Sequence, residues 1–131
     1  MIDSSSLMAI VLSEPDAYIY ADAIAQSAES QTRLYIPASV LVEAGIVAEQ
    51  LDRNKELDIL LDSLQLEIVP LDRAIAELAR QAFRRFGRGR HKAKLNFGDC
   101  MSYATAQHLG LPLLYKGEDF RQTDVRSALR V

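Results

Sequence analysis

Four carboxylates, Asp3, Glu43, Asp99 and Asp119, lie far apart in the chain, yet each interrupts or borders an apolar stretch. An ionised carboxylate taken out of water loses several kcal/mol of solvation unless a charge, hydrogen bonds or a metal compensates. Functional sites gather such groups despite their mutual repulsion, so four acids placed this way suggest one shared site. The simplest common partner is a hard divalent cation, which takes oxygen ligands.

Each acid also has a purely structural explanation. Asp3 precedes Ser4-Ser5-Ser6 and could cap a helix. Asp99 falls three residues after Asn96, a capping residue, where a negative charge favours the helix macrodipole. Asp119 and Glu118 could be turn acids, and Asp124, after Thr123, could cap a C-terminal helix. Glu43 is harder to dismiss: at helical spacing Ser39, Val40, Ile46 and Val47 share its face, and only the first is polar. That predicts an inward-pointing acid, with Glu49, Asp52 and Arg53 marking the solvent face.

The elements that must position these acids are legible as alternating patterns. Short apolar runs at 1–3, Leu34–Pro37, Leu66–Val69 and 113–115 read as buried strands of a parallel sheet. Helical periodicity covers 5–12, 16–28, 39–51, 56–64, 72–86 and 98–109, with breaks at Gly87-Arg88-Gly89 and Gly110-Leu111-Pro112. This alternation predicts an α/β sandwich with right-handed crossovers. Ligands of such sheets bind beyond the carboxyl ends of the strands. Asp3 and Asp119 belong to that edge, and Asp99 and Glu43 sit in the early turns of adjoining helices.

With 131 residues, 49% of them hydrophobic, the chain reads as one domain over 1–131. It lacks a basic leader, and its apolar run at 7–12 is too short to cross a bilayer, so it reads as cytosolic, with no membrane association. Cys100, the single cysteine, excludes an internal disulfide or cysteine-based zinc cluster and reads as a small apolar helix residue. His91 and His108 lack metal-ligand spacing, there is no phosphate-binding glycine loop, and the early serines lack a nucleophile elbow.

The net charge is −3, but Arg84, Arg85, Arg88, Arg90, Lys92 and Lys94 are clustered without an intervening acid; removing these six charges leaves −9 elsewhere. A basic segment on an acidic body can hold a polyanion by its phosphates. It could equally be a solvated, mobile loop after a helix.

Four segments together carry a resemblance: Ile2-Asp3-Ser4-Ser5, Ala38-Ser39-Val40-Leu41-Val42-Glu43, Leu95-Asn96-Phe97-Gly98-Asp99-Cys100, and Leu113-Leu114-Tyr115-Lys116-Gly117-Glu118-Asp119-Phe120 with Thr123-Asp124. In order and spacing the chain resembles PIN-domain ribonucleases, and more narrowly VapC-type toxins of toxin–antitoxin pairs. Only Met1 and Ile2 precede Asp3, fewer residues than is usual in that family, which predicts a short first strand.

The resemblance implies a three-layer α/β/α sandwich with a short central parallel sheet, and a Mg²⁺ or Mn²⁺ site. It implies RNA cleavage by cation-activated water, leaving 5′-phosphate and 3′-hydroxyl ends on substrates such as tRNA or rRNA. Asp3 and Asp99 would be the most direct ligands, with Glu43 and Asp119 acting directly or through water and Asp124 as a peripheral carboxylate. Ser4, Ser5 and Thr123 would orient acids or water. A cognate antitoxin would cover the acidic groove, and such toxins commonly form homodimers. Leu7, Ile10, Val11, Tyr18 and Ile19 could serve either surface, although core packing explains them more simply. The alternatives are a catalytically silent RNA- or protein-binding module of the same fold, and a phosphoryl-transfer domain of receiver or haloacid-dehalogenase type. The latter is suggested by Asp3 and Lys116 at strand ends.

Overall fold

The computed structural model describes residues 1–129. The element order is α1 (Ser4–Val11), α2 (Ala17–Glu29), β1 (Leu34–Pro37), α3 (Ala38–Gln50), α4 (Asn54–Ser63), β2 (Leu66–Val69), α5 (Arg73–Phe86) and α6 (Phe97–Leu109), followed by a 3₁₀ turn at Phe120–Gln122. The helix starts have local causes. Asp72 accepts from Ile75 N–H at 2.9 Å to open α5. Asn96 and Asp99 form a reciprocal capping box that opens α6. Pro37, at φ −62°, ends β1 and leads directly into α3.

β1 and β2 pair in parallel, Leu34 opposite Leu66 through Pro37 opposite Val69. The other two expected strands are reduced to single bridges: Ile2 pairs with Leu114 in parallel, and Ile2 N–H also reaches Tyr35 O at 2.9 Å. A further parallel bridge, Leu113 with Ser127, stands where the sequence suggested a helix capped by Asp124. With one residue in register on each side, these segments are too short to form full ladders. The spatial order is therefore β2, β1, residues 1–3, residues 113–115 and Ser127. The chain builds outward in one direction from residues 1–3 and then returns on the other side, so the order reverses between residues 1–3 and 113–115.

Alternation along those central segments divides the core in two. Ile2 and Leu114 face one layer with Leu7, Met8, Ile24, Ile36, Val40 and Leu57. Met1, Leu113 and Tyr115 face the other with Phe86, Leu95, Tyr103 and Phe120. Helices on both sides of a parallel sheet give the expected three layers. Leu7 and Val11 are buried and Ile10 is packed against the first cluster, which removes them as surface candidates; Tyr18 and Ile19 remain exposed. Among the described residues, no helix is long and apolar enough to cross a membrane.

Candidate functional site

The reversal point brings the scattered acids to one edge. Asp3 ends the first segment, and its N–H bonds Leu114 O at 3.0 Å across the reversal. The turn after residues 113–115 contains Gly117 at φ +103°, a backbone conformation that a side chain would strain, and so returns the chain toward Asp119. Asp99 stands in the first turn of α6. Burial is the leading cause pushing its carboxyl up to about 6; the backbone hydrogen bond from Asn96 opposes this, and the charges of Asp3, Asp119 and Glu43 add to it. All four acids thus share one electrostatic field. None of them forms an ion pair among the described residues.

Each acid is held differently. Asp3, only 3% exposed, accepts through Oδ2 from Ser5 N–H at 3.1 Å and from Ser5 Oγ at 2.5 Å. Ser5 Oγ also accepts from Lys116 N–H at 3.0 Å, so one hydroxyl links the first strand end to the fourth. Asp99 accepts through Oδ2 from Asn96 N–H at 3.0 Å, while Asn96 Oδ1 accepts from Asp99 N–H at 2.9 Å. In both acids Oδ1 has no hydrogen-bond partner among the described residues. The capping that explains these acids structurally therefore also fixes their carboxylate planes.

Glu43 is half-buried and accepts through Oε1 from Ser4 Oγ. Its face of α3 is less apolar in effect than its spacing suggested, because Ile46 is 55% exposed, but the side chain still turns in toward α6. Its carboxylate occupies the space where a Cβ on Gly98 would stand. Sequence reading missed that role of Gly98; a glycine beside a capping aspartate, facing a second acid, is the signal that carried it. Asp119 is exposed and makes no capping bond.

Other candidate side chains are committed elsewhere. Asp124 accepts from Tyr103 Oη at 2.5 Å and pairs with Arg85 at 3.5 Å. Thr123 donates to Phe120 O at 2.7 Å and accepts from Val125 N–H at 3.2 Å, which shapes the turn. Lys116 Nζ bonds Asp16 at 2.9 Å and also Glu14, so this ammonium is committed to other carboxylates; a receiver-type site would need it to face Asp3. Burial, helped by Asp99, pushes the Cys100 thiol up to about 11, which leaves it protonated and poorly nucleophilic near neutral pH.

The basic segment begins in the last turn of α5, with Arg84 and Arg85, and continues as an anchored loop. Arg88 N–H bonds Leu95 O and Leu95 N–H bonds Phe86 O, both at 3.0 Å, and Ala93 and Leu95 are fully buried. His91 packs edge-on against Phe86 with ring centroids 5.1 Å apart, and its Nδ1 accepts from Ala93 N–H. Arg84, Arg88, Arg90, Lys92 and Lys94 are exposed, with no ion pair among the described residues. Arg85 differs, since it is turned toward Asp124 and lies 4.6 Å over the Phe86 ring.

No group of three His, Cys, Asp or Glu side chains among the described residues is closed around a single ligating point. The donor set still fits a hard cation of the Mg²⁺ type, which retains waters and commonly uses only one or two protein carboxylates. Four all-oxygen donors with no neutralising lysine or arginine favour such an ion over a soft metal.

The family model for the PIN domain matches residues 1–126. Ribonuclease VapC of Mycolicibacterium smegmatis is 43% identical over 127 residues, covering 95% of this chain and 96% of that protein. Ribonuclease VapC28 of Mycobacterium tuberculosis is 44% identical over 133 residues, covering 98% and 97%. Ribonuclease VapC30 of the same species is 39% identical over 127 residues, covering 95% of each.

Proposed function

This chain belongs to the PIN-domain family, and from its likeness to VapC ribonucleases over almost its whole length we propose that it is a toxin endoribonuclease hydrolysing RNA phosphodiesters. The observation that carries this reading is the shared field of Asp3, Glu43, Asp99 and Asp119 at the reversal point of a parallel sheet, with no cation among the described residues to neutralise it.

Mg²⁺ or Mn²⁺ is the proposed cofactor, with Asp3 and Asp99 as its most direct holders and Glu43 and Asp119 alongside them, directly or through water. When bound, the ion supplies charge neutralisation for the phosphate and acidifies water for attack. The chain's own groups prepare that chemistry. The free Oδ1 atoms of Asp3 and Asp99 are the available ligating atoms, because Oδ2 of each is committed to a capping bond. Ser4 holds Glu43 and Ser5 holds Asp3, so both serines position acids. Gly98 leaves room for Glu43 against the first turn of α6. Arg84, Arg88, Arg90, Lys92 and Lys94 attract the RNA backbone, and their exposure makes that attraction strongly dependent on salt. Arg85 and Asp124 have a structural part, tying α5 to the segment after the 3₁₀ turn.

The chain is proposed to act as one domain over 1–131, of which 130 and 131 lie outside the described residues, in the cytosol, as a homodimer and under the control of an antitoxin. The exposed Tyr18 and Ile19 are candidates for either protein surface.

The deciding experiment is sequencing the RNA ends made by purified protein with Mg²⁺ or with Mn²⁺, against an Asp99→Asn control. Defined 5′-phosphate ends that vanish with EDTA and in the control are expected. EDTA-insensitive RNA binding without cleavage of any RNA would instead identify a silent binding module.

A further inference from the structure

We propose that the apolar groove between α5 and α6 is a base-stacking subsite for the RNA strand, with Phe97 as its principal platform. This rests on the ribonuclease reading and names a feature of substrate recognition within it. The groove has a volume of about 630 Å³, and Leu71, Phe83, Phe97 and Met101 lie along it with Arg84 and Arg90. Its apolar walls are unusually open: Phe97 is 81% exposed, Leu71 50% and Phe83 40%. An aromatic ring gains little by standing in water, so its position calls for a partner.

The chemistry favours a nucleobase as that partner. Unpaired RNA bases stack on aromatic rings and on guanidinium planes, and basic side chains alongside hold the backbone. Both surfaces occur here, with the Arg90 guanidinium 5.8 Å from the centre of the Phe83 ring. Neither Arg84 nor Arg90 forms an ion pair among the described residues.

Location narrows the choice further. Phe97 and Asp99 occupy the same first turn of α6, two residues apart and so on roughly opposite sides of it. A strand whose phosphate lies at the acids and which then crosses the tip of α6 brings a neighbouring base over Phe97. It continues toward Arg84 and Arg90, the start of the basic segment. An acidic protein segment would also suit the arginines, but it would not account for the aromatic platform standing one helix width from the acids.

The test is binding, measured in EDTA so that no RNA is consumed. Fluorescence polarisation would compare a labelled single-stranded RNA of about twelve nucleotides with a ribose-phosphate oligomer of the same length lacking bases. Phe97→Ala is expected to weaken binding of the intact RNA on the order of tenfold, the worth of one stacked base, and to leave the abasic oligomer unaffected. Phe97→Trp should restore the intact RNA. Because the ring is so exposed, both variants should melt with the wild-type protein. Equal losses on the two oligomers, or no loss on either, would overturn the subsite. So would a Phe97→Ala protein with normal RNA affinity but an altered oligomeric state in sedimentation, which would make the groove a protein contact. If the wild-type protein neither binds nor cleaves RNA, the ribonuclease reading itself fails. If cleavage is intact and only the Phe97 effect is missing, the subsite alone falls.

Discussion

The acidic edge and the basic loop carry opposite charge, and the protein treats them in opposite ways. At the acidic edge, hydrogen bonds from Ser4, Ser5 and Asn96 fix three of the four carboxylates. In the basic loop the backbone is anchored through Ala93 and Leu95, whereas Arg88, Arg90, Lys92 and Lys94, with Arg84 at the end of α5, project without ion-pair partners among the described residues. The difference follows from range. Coordinating a small cation needs oxygens placed to within fractions of an ångström, while attracting a polyanion needs only charge within about a Debye length, some 8–10 Å. On the proposed reading, one region is built for geometry and the other for potential.

Removing a carboxylate charge strikes at the geometric region and should have the largest effect. Asp99→Asn retains the size and most of the capping ability of Asp99, so folding should survive while cation-dependent cleavage falls about a hundredfold or more. Single-turnover rates with Mg²⁺, beside a thermal melt, check both halves. Retained cleavage would remove Asp99 from the site.

Gly98→Ala sharpens the contrast without touching a charge. The new methyl group would occupy the place of the Glu43 carboxylate and displace it, and cleavage should fall on the order of tenfold. Shortening an exposed basic side chain of the loop, such as Lys92, should have no such steric consequence. If Gly98→Ala cleaves normally, the position of Glu43 is not needed.

The loop should respond to salt instead. Replacing Arg88, Arg90 and Lys92 with Gln should flatten the plot of log affinity against log salt, by roughly 0.7 for each single-strand phosphate that is no longer neutralised. An unchanged slope would exclude the loop from the RNA path. Arg85→Gln should alter the slope least, because that side chain is already turned toward Asp124.

The smallest expected effect is on stability and tests the burial of Asp99. Its carboxyl sits near 6 when folded against an ordinary value of 3.8, so between those values the folded chain holds a proton that the unfolded chain has released. The resulting stabilisation is full below 3.8 and is lost as pH rises through about 6. In EDTA, the melting temperature of the wild-type protein relative to Asp99→Asn should therefore decline across that window. A flat difference would mean that Asp99 is not buried among like charges.

Periodicity made the helices legible, and each predicted helix lies within one or two residues of its observed bounds. The end segments were harder to read. The runs at 1–3 and 113–115 are apolar enough to be strands, but each contributes only isolated bridges, and the partner at Ser127 carried no strand signal at all. Among the candidate site residues, the inward turn of Glu43 was only partly readable from its neighbours, since Ile46 on its face is exposed, and the capping box of Asp99 was readable from Asn96 three residues before it. The commitments of Lys116 to Asp16 and of Asp124 to Tyr103 were not readable, because they join residues far apart whose local sequences advertise nothing. The basic loop misled in a different way: its composition suggests mobility, while Ala93 and Leu95, two small contributions to its hydropathy, bury themselves and pin it.

The bridge between Ile2 and Leu114 also has a kinetic consequence. Contacts of such sequence separation form late, because a long loop must close before they contribute any stabilisation. During synthesis, the first strand end must wait for almost the entire chain before Asp3 meets Asp119. On the proposed reading of the four acids, the emerging polypeptide is therefore unarmed until Asp119 has left the ribosome, and the translation machinery that makes it works beside a nuclease that does not yet exist.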